Sequence, residues 1–165
     1  MSEHFVVNVR DARWGTCEGF GAGTTFEDRE DRFEQIGLNI RVLGPGDKVA
    51  MYHGESVQED FLVLDGTCTL VIEGKERQLR VWDFVHCPPN TAHALAGGPC
   101  ILLAIGARRE GIELHYPVDE TARRLGAGVD EDTTSPDEAY KHAAPVVPGK
   151  PANWNDLPWS ERLGA

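Results

Sequence analysis

Between residues 36 and 105 the chain repeats one pattern: a short run of β-branched and apolar side chains, then a tight-turn signal. The runs are Ile36–Leu43, Val49–Tyr52, Asp60–Leu64, Cys68–Ile72, Val81–Cys87, Ala92–Leu95 and Ile101–Ile105. Gly44-Pro45-Gly46, Asp65-Gly66, Glu73-Gly74, Pro88-Pro89-Asn90 and Gly97-Gly98-Pro99 separate them. Glycine and asparagine tolerate the positive φ of such turns, and proline presets their entry. Many short strands at regular spacing predict an antiparallel sandwich or barrel. No helical period interrupts the region.

The flanks read differently. Phe5–Val9 predicts a strand, and Asp28–Gln35 a charged turn or short helix. Gly19-Phe20-Gly21-Ala22-Gly23 lacks both a preceding strand and a following capped helix, so it reads as a flexible turn, not a phosphate cradle. Val118–Leu125 places acids first and bases last, a helix in the sense that suits its dipole. Ser135-Pro136-Asp137-Glu138 starts another, with serine at the cap and proline at the first turn. The tail from Ala143 holds four prolines with Val146, Val147, Trp154, Leu157 and Trp159. It is either a free tail or a wrap over the barrel or a partner subunit.

The chain has 165 residues, which suits one domain over 1–165, with a barrel core at about 36–117 and an extension over 118–165. Sixteen basic against 27 acidic residues give a net charge of −11, which argues against a nucleic-acid or anionic-membrane surface. No apolar run is long enough to span a bilayer, and the first residues carry no signal-peptide pattern. Cys17, Cys68, Cys87 and Cys100 form no CxxC pair and are expected to stay reduced. These features together point to a cytoplasmic protein.

The candidate chemistry lies in two segments. In an extended chain His53 and Glu55 share a face, and continued parity adds Glu59. His93 follows a turn at Asn90 and supplies a second imidazole. Imidazoles and carboxylates converging from two strands make a site for a divalent transition metal, not for calcium. His86 shares parity with Phe84 and Pro88, which turns it toward the interior as a proton carrier. The bland reading is a histidine bonded to a backbone group. Cys68, Cys87 and Cys100 read as small buried hydrophobes, and His4, His115 and His142 as surface residues.

The two segments resemble the two motifs of the cupin superfamily. His53 matches the first histidine of the first motif and Glu59 its glutamate, and Gly66 closes it. In the second motif Pro88 matches the proline and His93 the histidine. Glu55 stands where a second histidine is usual, and Trp82 and Asn90 stand where glycines are usual. The likeness is to small single-domain bacterial cupins of unassigned activity. It implies an all-β fold, a single jelly-roll β-barrel with a short helical or irregular C-terminal extension. It also implies a metal near one mouth, held by His53, Glu59, His93 and Glu55, with iron, manganese, zinc or nickel as candidates. The expected function is an enzyme acting on a small oxygen-rich metabolite, a dioxygenase or an isomerase/lyase, with His86 as proton carrier. The alternative is a non-catalytic module that binds a sugar or metabolite. Cupins often pair through barrel edges, so a homodimer is expected.

Overall fold

The structure, a computed structural model, describes residues 4–27 and 32–160. Its strands in chain order are β1 (Arg13–Cys17), β2 (Gly21–Thr25), β3 (Ile36–Leu43), β4 (Gly54–Glu55), β5 (Glu59–Ile72), β6 (Lys75–Arg80), β7 (Phe84–Cys87), β8 (His93–Ala96), β9 (Cys100–Ala107), β10 (Leu114–His115) and β11 (Val147–Pro148). Two short helices, α1 (Glu120–Arg124) and α2 (Pro136–Ala139), and a 3-10 turn at Trp154–Asp156 follow or flank the last strands. All pairings are antiparallel.

Two layers share β5. Its first half pairs with β9 and β7, its second half with β6 and β8. Asp65-Gly66 is therefore not a hairpin turn between two strands. It is the corner at which one 14-residue strand changes layer. The ladder to β9 shifts register between Val63 and Asp65, and Gly66 takes φ +71. A Cβ on Gly66 would run into the Pro99 carbonyl, so only glycine turns this corner without a clash.

The space between the layers is filled by Leu43, Phe61, Val63, Leu70, Leu79, Val85, Leu95 and Leu102, together with Cys68, Cys87 and Cys100. The alternate residues of β3, Ile40 and Val42, face outward onto Trp14, Ile101 and Leu157. This period-2 division fixes which side chains enter the barrel.

The flanks add to the same sheet. Strand β1 pairs with β2, and β2 pairs with β3, so the sheet extends beyond residues 36–117. Of the glycine-rich stretch, Gly19 and Phe20 form the turn after β1, while Gly21–Gly23 start β2. Phe5–Val9 forms no strand. Of the stretch 28–35, residues 28–31 lie outside the described residues and 32–35 are not helical. Val49–Tyr52 is irregular, flanked by isolated bridges at Lys48 and His53. Strand β6 has no sequence signature, because Lys75–Arg80 buries Leu79 alone.

Both helices form where their caps predict. The Asp119 carboxylate accepts the Ala122 N–H at 2.8 Å, and Ser135 Oγ accepts from Glu138. The tail wraps over its own barrel. Strand β11 pairs with β1, and Trp154 and Trp159 close on Trp14 with ring centroids 5.4 and 5.7 Å away.

Candidate metal centre

His53 and His93 exchange backbone hydrogen bonds of 3.1 and 2.9 Å, so the two residues stand directly opposite each other. Opposed residues send their side chains to the same face. The two rings lie 5.2 Å apart and both residues are buried. Glu59, at the start of β5, points to the same inner face as Phe61, whose ring meets His93 edge-on. Glu59 Oε2 lies 3.1 Å from His93 Nε2 and 3.8 Å from His53 Nε2. One ligand atom from each of His53, Glu59 and His93 falls within 4.8 Å of the others.

The backbone sets the ring tautomers. His53 Nδ1 lies 2.7 Å from the Met51 carbonyl and His93 Nδ1 lies 2.9 Å from the Thr91 carbonyl. A carbonyl only accepts, so each Nδ1 carries the proton and each neutral ring presents a bare Nε2 to the cluster. A bare Nε2 facing a carboxylate oxygen at 3.1 Å leaves two acceptors in contact. Something positive must sit between them, either a proton or a metal ion. Burial opposes charge on His93, yet the Cys87 thiol and the Glu59 carboxylate override it and raise the imidazole to about 10. Two imidazoles and one carboxylate are a donor set that divalent iron, manganese, nickel and zinc all accept. The residues present therefore fit such an ion.

Glu55, on β4, places Oε1 3.5 Å from His53 Nε2 but stands outside the trio. The Asn90 N–H donates to the Glu55 carbonyl and so ties the two motif segments together. His86 is a correction. In β7 it is Val85 and Cys87 that are buried, while Phe84 and His86 are exposed. His86 Nδ1 is 2.7 Å from Asp60 Oδ1, on the face of the sheet opposite to Glu59. It does not reach the cluster. Cys87 takes the inner position instead, directly across the ladder from Glu59 and almost fully buried.

Tyr116 was not legible from spacing. Its ring stacks on His53 at 5.7 Å and the residue is 3% exposed. Tyr140 meets Tyr116 edge-on and accepts the Met51 N–H. His115, read as a surface residue, is half-buried and covers Gly54. Tyr52 and Gln58 lead elsewhere, to Gly74 and Asp60. A cavity of about 690 Å³ lies beyond Tyr140, lined also by Phe20, Lys48, Met51 and Lys141, and contains none of the cluster residues.

Trp82 and Asn90, which stand in the glycine places, have φ +73 and +67. The backbone there is the left-handed one that glycine serves elsewhere. The cupin domain family matches residues 39–106 of the barrel. Over 52 residues, 31% of the chain, the sequence is 40% identical to the quercetin 2,3-dioxygenase of Bacillus subtilis (strain 168), and the match spans 15% of that enzyme. The chain's fold is similar to a sugar phosphate isomerase of the cupin superfamily from Silicibacter pomeroyi, at 18% identity over 70% of this chain and 88% of that one, TM-score 0.59. It is also similar to the polyketide cyclase RemF from Streptomyces resistomycificus, at 16% identity over 67% and 84% of the two chains, TM-score 0.56. At these identities the structural likeness establishes the fold alone. None of the helices among the described residues is long and apolar enough to cross a membrane.

Proposed function

We propose that this protein holds one divalent transition metal on His53 Nε2, His93 Nε2 and Glu59, and that it is an enzyme acting on a small oxygen-rich metabolite. The observation that carries the reading is the buried trio within 4.8 Å, with both imidazole tautomers set by backbone carbonyls. Glu55 is the fourth candidate group and the second carboxylate within reach of His53.

When bound, such a metal polarises a substrate oxygen or supports dioxygen chemistry, since two histidines and one carboxylate leave coordination positions open. The chain's own residues do the rest. Phe61 and Cys87 exclude water from the buried side of His93. The Met51 and Thr91 carbonyls hold the rings in one orientation. Dioxygenase and isomerase/lyase are the two reaction classes this site serves. With His86 on the outer face, the groups that can move a proton are Glu55 and Glu59. We infer a homodimer as well: β7 is an edge strand, with Phe84 61% and Trp82 72% exposed at its start.

The test is metal content by elemental analysis of protein purified without chelator or histidine tag. Near-stoichiometric metal that disappears in His53→Ala/His93→Ala supports the reading. Iron with oxygen uptake selects the dioxygenase; manganese, zinc or nickel with anaerobic turnover selects the isomerase or lyase. Metal without any turnover points to a binding module.

A further inference from the structure

The inner face of β3 carries a cation that no carboxylate among the described residues pairs. Arg41 is two residues from Leu43, which is in the core, and directly opposite Leu102, which is fully buried. Both neighbours place its side chain inside the barrel. Nη2 donates to the carbonyls of Phe20 at 2.9 Å and Val49 at 3.2 Å. Nε is buried and has no acceptor. Among the described residues Arg41 closes no ion pair with a carboxylate. In a chain of net charge −11 that is an unusual way to leave a guanidinium. A charge taken out of water is normally matched, because desolvation costs more than a neutral bond returns.

The cation and the metal cluster hold the same backbone segment. Arg41 holds the Val49 carbonyl, Tyr140 holds the Met51 N–H, and His53 Nδ1 holds the Met51 carbonyl. The three side chains thus follow one another along a single segment, and two residues span at most about 7 Å. The carboxylates of Glu59 and Asp47 are among the groups whose charge acts on Arg41. Next to His53 stands Tyr116, 3% exposed, whose ring stacks on the imidazole. No hydrogen bond to a described residue uses its hydroxyl, which is not among the fully buried unpartnered atoms and so is open to a ligand oxygen. Guanidinium and phenol both donate, and a metal accepts oxygen ligands; a carboxylate satisfies the first and oxygens close to it satisfy the others.

We propose that the metal centre takes a small molecule bearing a carboxylate, which Arg41 holds by charge while the Tyr116 hydroxyl donates to a second oxygen near the metal. This names the substrate class of the site described above and rests on that reading. In this reading Arg41 supplies the positive charge that faces the substrate's carboxylate, and Tyr116 is a binding residue.

The experiment is a calorimetric titration of manganese-loaded and metal-free protein with pyruvate and with its neutral counterpart, methyl pyruvate. The expected result is that pyruvate binds the loaded protein roughly ten- to hundredfold more tightly than the ester, the range for a bond to a charged group. Arg41→Met removes this preference while manganese stoichiometry stays as in the wild type, and Tm falls because the Phe20 and Val49 carbonyls lose their donor. Arg41→Lys keeps part of the preference, and Tyr116→Phe weakens both probes several-fold without removing it. Equal binding of the two probes, no binding of either, or a preference that survives in Arg41→Met overturns the proposal. Should Arg41→Met fail to fold, the wild-type comparison of acid with ester and the Arg41→Lys series decide alone. Wild-type protein that takes up none of iron, manganese, zinc and nickel refutes the metal reading instead. The acid-over-ester preference of the metal-free protein then still tests Arg41, and its absence there overturns the proposal.

Discussion

Asp60 and His86 face each other across the β5–β7 ladder, 2.7 Å apart, on the side of the sheet away from Glu59 and Cys87. Adjacent strand residues point to opposite faces, so placing Cys87 inside puts His86 outside. His86→Ala is therefore expected to leave metal stoichiometry unchanged. The imidazole is half exposed, so the pair is worth no more than about 1 kcal/mol. Elemental analysis and urea unfolding of the variant check both statements. Loss of metal would return His86 to the site.

That one-residue error shows where the sequence is readable. His53, Glu59 and His93 were legible through their match to two sequence motifs; strand parity alone does not join them, because a bend at Ser56-Val57 separates β4 from β5. The direction of β7 was not, because Val85 and Cys87 are no more apolar than Phe84 taken alone; only the ladder to Glu59 decides. Strand β6 was hidden for a related reason. Its charged residues sit on the solvent side, and Leu79 alone marks the buried one. Asp65-Gly66 carried a true turn signal, but the glycine serves a change of layer and not a hairpin. Tyr116 reaches His53 from an isolated bridge just after β10, far away in sequence, and nothing in its own neighbourhood announces it.

Trp82 holds φ +73 with its ring 72% exposed. The exposed ring gains little from burial, while the left-handed backbone costs a residue with a Cβ about 1–2 kcal/mol. Trp82→Gly is expected to be more stable than Trp82→Ala by about 1 kcal/mol, since both lose the ring and only glycine relieves the backbone. The order reverses at an ordinary strand position, where glycine is the poorer residue. Parallel urea titrations of the two variants decide it.

The tail is held by aromatic packing on Trp14, with Trp154 at 5.4 Å and Trp159 at 5.7 Å, and these two also meet each other at 5.8 Å. Trp154→Ala and Trp159→Ala are each expected to destabilise the protein, and their double mutant by an amount that differs from the sum by about 0.5–1.5 kcal/mol. Strict additivity in the cycle would mean that each ring docks independently. Limited proteolysis gives a second readout: the Trp154→Ala tail becomes cleavable near Val147, where β11 leaves β1.

Glu27 and Arg108 form the ion pair with a pH signature. Arg108 Nη1 donates to Glu27 Oε2 at 2.7 Å and Nη2 donates to Oε1, while the Phe33 N–H gives the same carboxylate a third bond. The Arg108 bonds lower the Glu27 pKa; burial opposes them, and the Phe33 N–H adds to the lowering. A carboxylate depressed in the folded state contributes stability above its unfolded value of 4.5 and loses it as pH falls through the lower folded value. Both side chains are largely buried, at 12 and 22% exposure, so screening by solvent is modest. Arg108→Gln is thus expected to cost about 1–3 kcal/mol at pH 7. The gap should stay flat from pH 7 down to about 5 and close progressively in more acid solution. Urea unfolding of the two proteins across this range tests the sign: a gap that widened on acidification would mean that Glu27 is protonated in the fold at neutral pH.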